Sequence, residues 1–354
     1  MRKYIIRIQM LHLTFVLLFL VLLFSVGCDK RKEERELLQR IEIAKKNSIR
    51  FLDSISGKID PVRLRQEHGM KGKTFFVCYL NAYLIMYTTT QSDSEKTIYK
   101  NKIADVLAPS QTPEYHNLGT SSPKEFRQDV ISYLNACRLL GKFGFDTKSY
   151  KEEIEKIYDR IIDPAHLSRR GVDNTMALSY MLNTLGFEKP YSYCEIYQRP
   201  DCVLRSHPDY TNINLKDQME TTRAYDITHE IFYLTNFGAN PLECADASDF
   251  EYAEETLSFL LTRAMEQDNP DIAAELCVCL DYLRMYENEL YDECITYLLE
   301  SQNEDGSWGD YDWAKEYVKE NRPEYIVEVG LNLHTVRVVL WALTLTEKRL
   351  RSGL

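Results

Sequence analysis

The sequence predicts an all-α protein whose helices form an (α/α)6 toroid, a closed ring of six inner helices surrounded by outer ones. Six times along the chain a charged, amphipathic stretch precedes an almost uncharged apolar stretch, and corresponding midpoints recur about every fifty residues. A helix that is apolar on all sides has to be buried, whereas its charged partner keeps one face in water. The predicted inner helices are Phe75–Tyr87, Phe126–Leu140, Asn174–Leu185, Ala224–Phe237, Ile272–Tyr286 and Leu331–Leu345.

Turn and capping residues separate the members of each pair. The first outer helix is predicted to end near Gly57, because glycine suits helix termination. Ser122-Pro123 followed by Glu125 is typical of a helix start, and Asp173 is the predicted N-cap of the third inner helix. The predicted outer helices are Glu33–Ile55, Ser94–Leu107, Tyr150–Ile162, Tyr191–Tyr197, Phe250–Gln267 and Leu290–Ser301.

The first 27 residues have the layout of a bacterial lipoprotein signal peptide. Positive charges precede the apolar run Leu13–Val26, which is short for the roughly twenty residues that a bilayer-spanning helix needs. A small residue directly before Cys28 resembles a lipobox, with Ser25 in place of the usual leucine. We therefore expect a leader over 1–27, lipidation of Cys28, a charged tether over 28–36 and one domain over 37–347. An uncleaved membrane anchor is the alternative.

Charge makes nucleic acid an unsuitable partner. The whole chain has a formal net charge of −11, and loss of the leader removes Arg2, Lys3 and Arg7, which leaves −14. Such a surface repels phosphate backbones. The expected partners are the membrane, through the lipid on Cys28, and a small-molecule, peptide or glycan ligand at a periplasmic or outer-surface location of the bacterial envelope.

Cysteine spacing predicts one candidate disulfide. Cys194 and Cys202 flank a proline-containing loop, and an exported protein can be oxidised. Cys277 and Cys279 stand two apart on one helix and point in different directions, so they do not pair with each other. The remaining cysteines are interpreted as small buried hydrophobic residues.

Histidines follow the predicted ring. Outside the leader they are His68, His116, His166, His207, His229 and His334, and each falls in a loop before an inner helix or in that helix's first turns. If the inner helices run parallel, their N-terminal ends open on one face, where a site should lie. The alternative is that polar residues collect in loops without any shared function.

The segment Gln302–Gly309 resembles the QW-type motif of terpenoid cyclases and, in looser form, of protein prenyltransferases and other α/α toroids. In those families the motif is a structural clasp. The resemblance implies that Gln302 bridges backbone groups at helix ends, that Gly306 permits a turn and that Trp308 stacks over it. The chemistry of those families is disfavoured, because Asp310-Tyr311-Asp312-Trp313 lacks the last aspartate of DxDD and the Asp292-Glu293-Cys294 triplet lies on an outer helix.

The run Tyr225–Gly238 is similar to the core of an uncharacterised bacterial domain family of unknown function, in which an aspartate often stands at the position of Asn236. Four residues of this run, at i, i+3, i+4 and i+7, should line one face of the helix and point at the cavity. They are Asp226, His229, Glu230 and Tyr233. His334 holds the comparable early position of the sixth inner helix, with Trp341 further along.

These residues form the candidate site. His229, Asp226, Glu230 and His334 are the candidate acid–base residues, and Tyr233, Asp173, Asn174 and Trp341 the candidate ligand-binding residues. Imidazole and carboxylate groups could also bind a divalent metal, but no metal site is assigned. In a purely structural alternative, Asp226 caps the helix and orients His229, while His334 satisfies a buried backbone group.

No reaction is identified by motif. His229-Glu230 does not begin an HExxH motif, because position 233 is tyrosine. The chain also has no Gly-rich phosphate loop, no GxSxG elbow and no zinc-finger spacing, so no cofactor is predicted. The first hypothesis is a binding module for a peptide, glycan or lipid-like ligand at the mouth of the ring. The second is an envelope hydrolase or lyase that uses His229 with Asp226 or Glu230, and the third is a scaffold with a closed centre.

Overall fold

The described part of the chain is all-helical, as predicted. The computed structural model describes residues 31–68, 72–242, 244–286, 288–310 and 324–353. Its helices are α1 (31–55), α2 (Pro61–His68), α3 (Gly72–Thr89), α4 (Asp93–Asp105), α5 (Pro123–Phe143), α6 (Lys148–Ile162), α7 (Pro164–Leu167), α8 (Val172–Leu185), α9 (Tyr193–Tyr197), α10 (Val203–Ser206), α11 (Gln218–Leu234), α12 (Ala247–Glu266), α13 (Pro270–Tyr282), α14 (Glu289–Glu300) and α15 (Glu324–Ser352). The only β-type pairing among these residues is an isolated bridge between Gln302 and Trp308.

Six long helices contact one another in a cyclic order. Helix α3 packs against α5, α5 against α8, α8 against α11, α11 against α13, α13 against α15, and α15 against α3. These six correspond to the stretches predicted as inner helices, although α11 ends at Leu234 and α13 at Tyr282, before the predicted Phe237 and Tyr286. Five of the other predicted helices lie against them, with α4 on α3, α6 on α5, α9 on α8, and both α12 and α14 on α13. Their buried apolar side chains join one continuous core, which is the main source of stability.

Helix starts follow their capping residues. Ser122 and Glu125 form a capping box around Pro123 at the start of α5, as predicted. The prediction of Asp173 as an N-cap is wrong, because α8 begins at Val172 and Gly171 is its N-cap. Asp217 accepts hydrogen bonds from the first turn of α11, so this helix starts six residues before the predicted Ala224.

The segment after α14 fastens it to α1. The Gln302 side-chain amide donates to the Ala44 carbonyl (2.9 Å) and accepts from Asn47 (3.0 Å). Trp308 is fully buried, and its indole N–H donates to the Leu298 carbonyl at 2.6 Å. Gln302 therefore reaches the middle of α1, and not a helix end as the QW resemblance implied.

The two ends of the predicted domain need correction. Residues 31–36 already belong to α1, where the predicted tether would have continued, and Lys32 and Glu36 form an i, i+4 ion pair. Helix α15 continues to Ser352, beyond the predicted limit of 347. The proposed leader and Cys28 lie outside the described residues. No helix in the described ranges is both long and apolar enough to cross a bilayer.

The predicted Cys194–Cys202 disulfide is wrong. Cys194 is bonded to Cys244, and Cys202 is a free, buried thiol. Cys277 and Cys279 are likewise free and buried, as expected. The short helix α9 carries Cys194 to the loop before α12, a proximity that the spacing of residues along the chain does not reveal.

Replacing both Cys194 and Cys244 with serine should lower the free energy of unfolding by about 2–4 kcal/mol, because the bond joins residues 50 positions apart. Urea unfolding of the oxidised protein and of the double variant measures the difference. A reducing agent should weaken the wild type by a similar amount and leave the variant unchanged. Equal stability of all these samples would contradict the prediction.

Candidate functional site

Helix α11 presents three polar side chains at the spacing i, i+3 and i+7. Asp226, His229 and Tyr233 are all partly exposed, with 33% of the His229 side chain accessible. None of the three side chains makes a hydrogen bond to another residue of the described ranges. The three polar side chains on this stripe of α11 therefore have unused hydrogen-bonding capacity.

Helix α13 places two carboxylates beside this stripe. Pro270 begins the helix and the Asn269 side chain caps it, so that Asp271 and Glu275 lie one turn apart. The two side chains are 6% and 0% exposed. Buried carboxylates need partners, because burial of an unpaired charge is costly.

Helix α15 supplies the partners of these carboxylates. His334 Nδ1 lies 2.8 Å from Asp271 Oδ1, and Arg337 Nη2 lies 2.8 Å from His334 Nε2. A guanidinium can only donate, so Nε2 accepts and Nδ1 carries the proton that is donated to Asp271. These two contacts give the His334 ring a defined orientation.

Glu275 connects the helices on its two sides. Its Oε2 accepts a hydrogen bond from Thr228 Oγ1 (2.6 Å) and lies 3.7 Å from His229 Nε2. Its Oε1 is 3.8 Å from His334 Nε2 and 3.5 Å from Arg337 Nη2. We call the group around this carboxylate the central cluster: Tyr225, Thr228, His229, Asp271, Glu275, His334 and Arg337.

Tyr225 completes the central cluster from the side of α11. Its hydroxyl donates to Asp271, and its ring stacks on His229 with centroids 5.8 Å apart. The imidazole of His229 is thus held between Tyr225 and Glu275 while its polar atoms make no hydrogen bond within the described residues. That arrangement leaves His229 able to bind a ligand atom or to transfer a proton.

Glu230 does not belong to the central cluster. Its carboxylate is buried and accepts hydrogen bonds from the backbone N–H groups of Val203 (2.8 Å) and Leu204 (3.0 Å) and from the Cys202 thiol (3.2 Å). Adjacent residues of an α-helix point about 100° apart, so His229 and Glu230 meet different neighbours. Burial raises the pKa of Glu230 to about 7 although these donors oppose the shift. Its observed role is to hold α10.

Asp226 lies on the side of α11 that meets the neighbouring helix α8, near Asp173. Burial, together with the negative charge of Asp173, raises the pKa of Asp226 to about 6. Asp173 itself accepts a hydrogen bond from Asn174 at 2.6 Å. Asp226 is not a helix cap, because α11 starts eight residues earlier at Gln218 with Asp217 as its N-cap, and His334 binds a carboxylate in place of a backbone group. The structural alternative therefore does not describe these residues.

Replacing Asp226 with asparagine should stabilise the protein at pH 8 by about 1–2 kcal/mol, a value discounted for partial solvent exposure. The folded state holds this proton more tightly than the unfolded chain, so the contribution of Asp226 to stability falls as the pH rises through about 6. Well below pH 3.8, the ordinary pKa of aspartate, the two proteins should be equally stable. Thermal unfolding against pH tests this, with exposed Asp159→Asn as the control; a pH-independent difference would contradict it.

An aromatic cluster adjoins the polar stripe. Tyr233 lies 5.6 Å from Tyr180, centroid to centroid, and Phe237 lies 4.7 Å from Tyr180 and 5.7 Å from Trp341. The ring centroids of Phe232 and Trp341 are 5.0 Å apart. We call Tyr180, Phe232, Tyr233, Phe237, Tyr282 and Trp341 the aromatic cluster. The predicted ligand-binding residues Tyr233 and Trp341 both belong to it.

Three of the other histidines have separate partners. His116 bonds the Tyr133 hydroxyl at 2.5 Å, Arg170 donates to His166 at 3.0 Å, and His207 lies 2.9 Å from Asp249. The side chain of His68 lies outside the described set. Only His229 and His334 among the described imidazoles share a neighbour, and both lie well inside their helices, because α11 and α15 begin earlier than predicted.

Metal-site geometry is absent from the described ranges, where no group of three or more His, Cys, Asp and Glu side chains could hold an ion.

Sequence reasoning missed Asp271, Glu275 and Arg337. A usable signal existed for the first two, because acidic residues at i and i+4 interrupt an otherwise apolar helix. Arg337 stands three positions after His334 and therefore shares its face.

The comparisons with known proteins give a family. The model of a domain of unknown function (DUF6895) matches residues 125–342, more than half of the chain. The chain therefore belongs to this family, and the matched region includes most of α5 and extends into α15. Neither the curated proteins nor the solved structures contain a match.

Proposed function

We propose that the six helices in cyclic contact form an (α/α)6 toroid around a central cavity. The support is the order of helix contacts, which returns from α15 to α3, together with the fastening of α1 to the segment after α14. In this arrangement Gln302, Gly306 and Trp308 act as a QW-type clasp at the seam where the ring closes.

The chain is proposed to be a bacterial envelope lipoprotein. The support is the basic and then apolar leader ending at Cys28. The lipid would attach the mature chain to the membrane, on a periplasmic or outer-surface face. Metabolic labelling with radioactive palmitate tests this: the wild type should be labelled and Cys28→Ala should not. Labelling that persists in Cys28→Ala would contradict the proposal.

The proposed activity is the binding of a peptide, glycan or lipid-like ligand in the cavity. One observation carries this proposal: Asp226, His229 and Tyr233 form a partly exposed polar stripe without hydrogen bonds to other described residues, next to an aromatic cluster. Ligand sites combine apolar walls with a few polar groups in this way. A closed scaffold would have satisfied or excluded those groups.

Native mass spectrometry of the full chain, extracted from its membrane in detergent, tests ligand binding. Wild-type protein should carry an additional small molecule that is lost from the Asp226→Asn/His229→Ala double variant. Glu155→Ala, an exposed change on α6, should keep it. Circular dichroism of the double variant checks that its fold persists. Equal occupancy in the wild type and the folded double variant would place the molecule elsewhere.

A second candidate function is an acid–base enzyme, a hydrolase or lyase. It is favoured by the pKa of Asp226 near 6, which lets this group donate a proton at neutral pH. His229, one turn further along α11 and backed by Glu275, is the matching proton acceptor. The ligand released from the purified protein should then change in mass when returned to the wild type, and stay unchanged with Asp226→Asn. An unchanged mass with both proteins would leave binding as the function.

A further inference from the structure

We infer that the ligand of the central cavity is an organic anion, whose negative group pairs with Arg138 and whose apolar part lies on the aromatic cluster. This inference rests on the proposed binding function and adds the chemical class of the ligand. The observation behind it is Arg138 on α5, which forms no ion pair with a carboxylate of the described residues.

Arg138 is held in place by neutral groups. Its Nε and Nη2 both donate to Asn135 Oδ1, at 3.1 and 2.8 Å, and its guanidinium lies 5.7 Å from the centroid of the Tyr180 ring. Its Nη1 donates to no atom of the described residues. One carbonyl oxygen and one ring face thus take the place of a carboxylate.

Two other partly buried arginines of the described ranges have acceptors for their positive charge. Arg160 also lies over an aromatic ring, yet its two terminal nitrogens donate to the carbonyls of Leu118 and Ser121, both at 2.8 Å. Arg337 contacts Glu275. Arg138 combines two deficits: unlike Arg337 it has no carboxylate of the described ranges within ion-pair distance, and unlike Arg160 it has a terminal nitrogen without an acceptor there.

The surroundings of Arg138 make an external anion favourable. Burial lowers the pKa of Arg138, because removing water from around the guanidinium disfavours its charged form. Lys142, one turn further along α5, adds a second positive charge, and burial followed by the charge of Arg138 lowers the pKa of Lys142 as well. A guanidinium with free donors binds carboxylate, sulfonate or phosphate groups through charge-assisted hydrogen bonds.

The apolar part of the ligand is defined by the neighbours of Arg138. Tyr180 contacts its guanidinium and also belongs to the aromatic cluster. Burial raises the pKa of the Tyr233 phenol, and the positive charges of Arg138 and Arg337 oppose that rise, while the Tyr233 ring lies 5.6 Å from that of Tyr180. An anion on Arg138 therefore has aromatic rings directly beside it.

Two matched fluorescent probes test the inference. 8-Anilinonaphthalene-1-sulfonate is an aromatic anion, and N-phenyl-1-naphthylamine is its counterpart without the sulfonate. The wild type should bind one anionic probe per chain, at least about tenfold more tightly than the neutral probe. Arg138→Gln should lower the affinity for the anionic probe by at least about tenfold and change the affinity for the neutral probe by less than about twofold. Arg138→Lys should bind it more tightly than Arg138→Gln, and Lys124→Gln, an exposed charge change on the same helix, should have no effect.

The outcomes separate this inference from the proposed function. Binding of neither probe to the wild type would overturn both. Equal binding of the two probes, or equal loss of both in Arg138→Gln, would overturn the anion site alone. Should Arg138→Gln lack native near-ultraviolet circular dichroism, competition on the wild type decides: benzoate should displace the anionic probe and benzyl alcohol should not. Equal displacement by both would overturn the inference.

Discussion

Glu275→Ala should lower the free energy of unfolding by about 3–5 kcal/mol, the range found when one partner of a buried ion pair is removed. The Glu275 side chain is 0% exposed and accepts a hydrogen bond from Thr228 at 2.6 Å. Its loss leaves Arg337 without its only carboxylate within ion-pair distance in the described ranges. It also removes the group that lies between His229 and His334.

Urea unfolding at pH 7 measures this change. Glu155→Ala on α6 is the matched control, because Glu155 is exposed, and its replacement should alter stability by less than about 0.5 kcal/mol. Glu275→Gln should be milder than Glu275→Ala, since an amide oxygen can still accept from Thr228. A loss below about 1 kcal/mol for Glu275→Ala would contradict a buried, charge-paired Glu275.

Gly306→Ala should destabilise the protein by about 2–4 kcal/mol for two physical reasons. Gly306 has a φ of +92°, in the left-handed region, and a Cβ at this position would lie 2.1 Å from the Asn47 carbonyl oxygen. That oxygen belongs to the backbone of α1, which cannot move without disturbing the clasp between α1 and the segment after α14.

Gly186→Ala is the matched control for Gly306→Ala. Gly186 has a φ of +85°, but no atom lies within 4 Å of the position of an added Cβ. It should therefore cost only about 1 kcal/mol of backbone strain. The difference between the two variants isolates the contact with α1. Equal losses in both would show that α1 does not press on Gly306.

The helices could be predicted because burial on all sides is visible in the composition of each segment. The predicted start of α13, Ile272, differs from the observed Pro270 by two residues. The start of α11 was missed by more, because its first turns are polar and Met219 there is exposed. That missed extension explains why His229 was expected at the rim and lies deeper in the helix.

Tertiary relations could not be predicted from one sequence. The stripe of Asp226, His229 and Tyr233 follows from helical spacing alone and is present. Glu230 fits the same spacing equally well, yet its carboxylate accepts hydrogen bonds from the backbone of α10, which lies on that side of the helix. In the same way, the partner of Cys194 depends on which loop α9 meets.

The central claim is that His229 and His334, from helices far apart in sequence, meet at the carboxylate of Glu275. A double-mutant cycle of His229→Ala and His334→Ala tests it most directly, with free energies of unfolding measured in the wild-type background and in Glu275→Gln. We predict a coupling free energy of at least about 0.5 kcal/mol in the wild-type background and its loss in Glu275→Gln. Strict additivity of the two substitutions in the wild-type background would contradict the shared site.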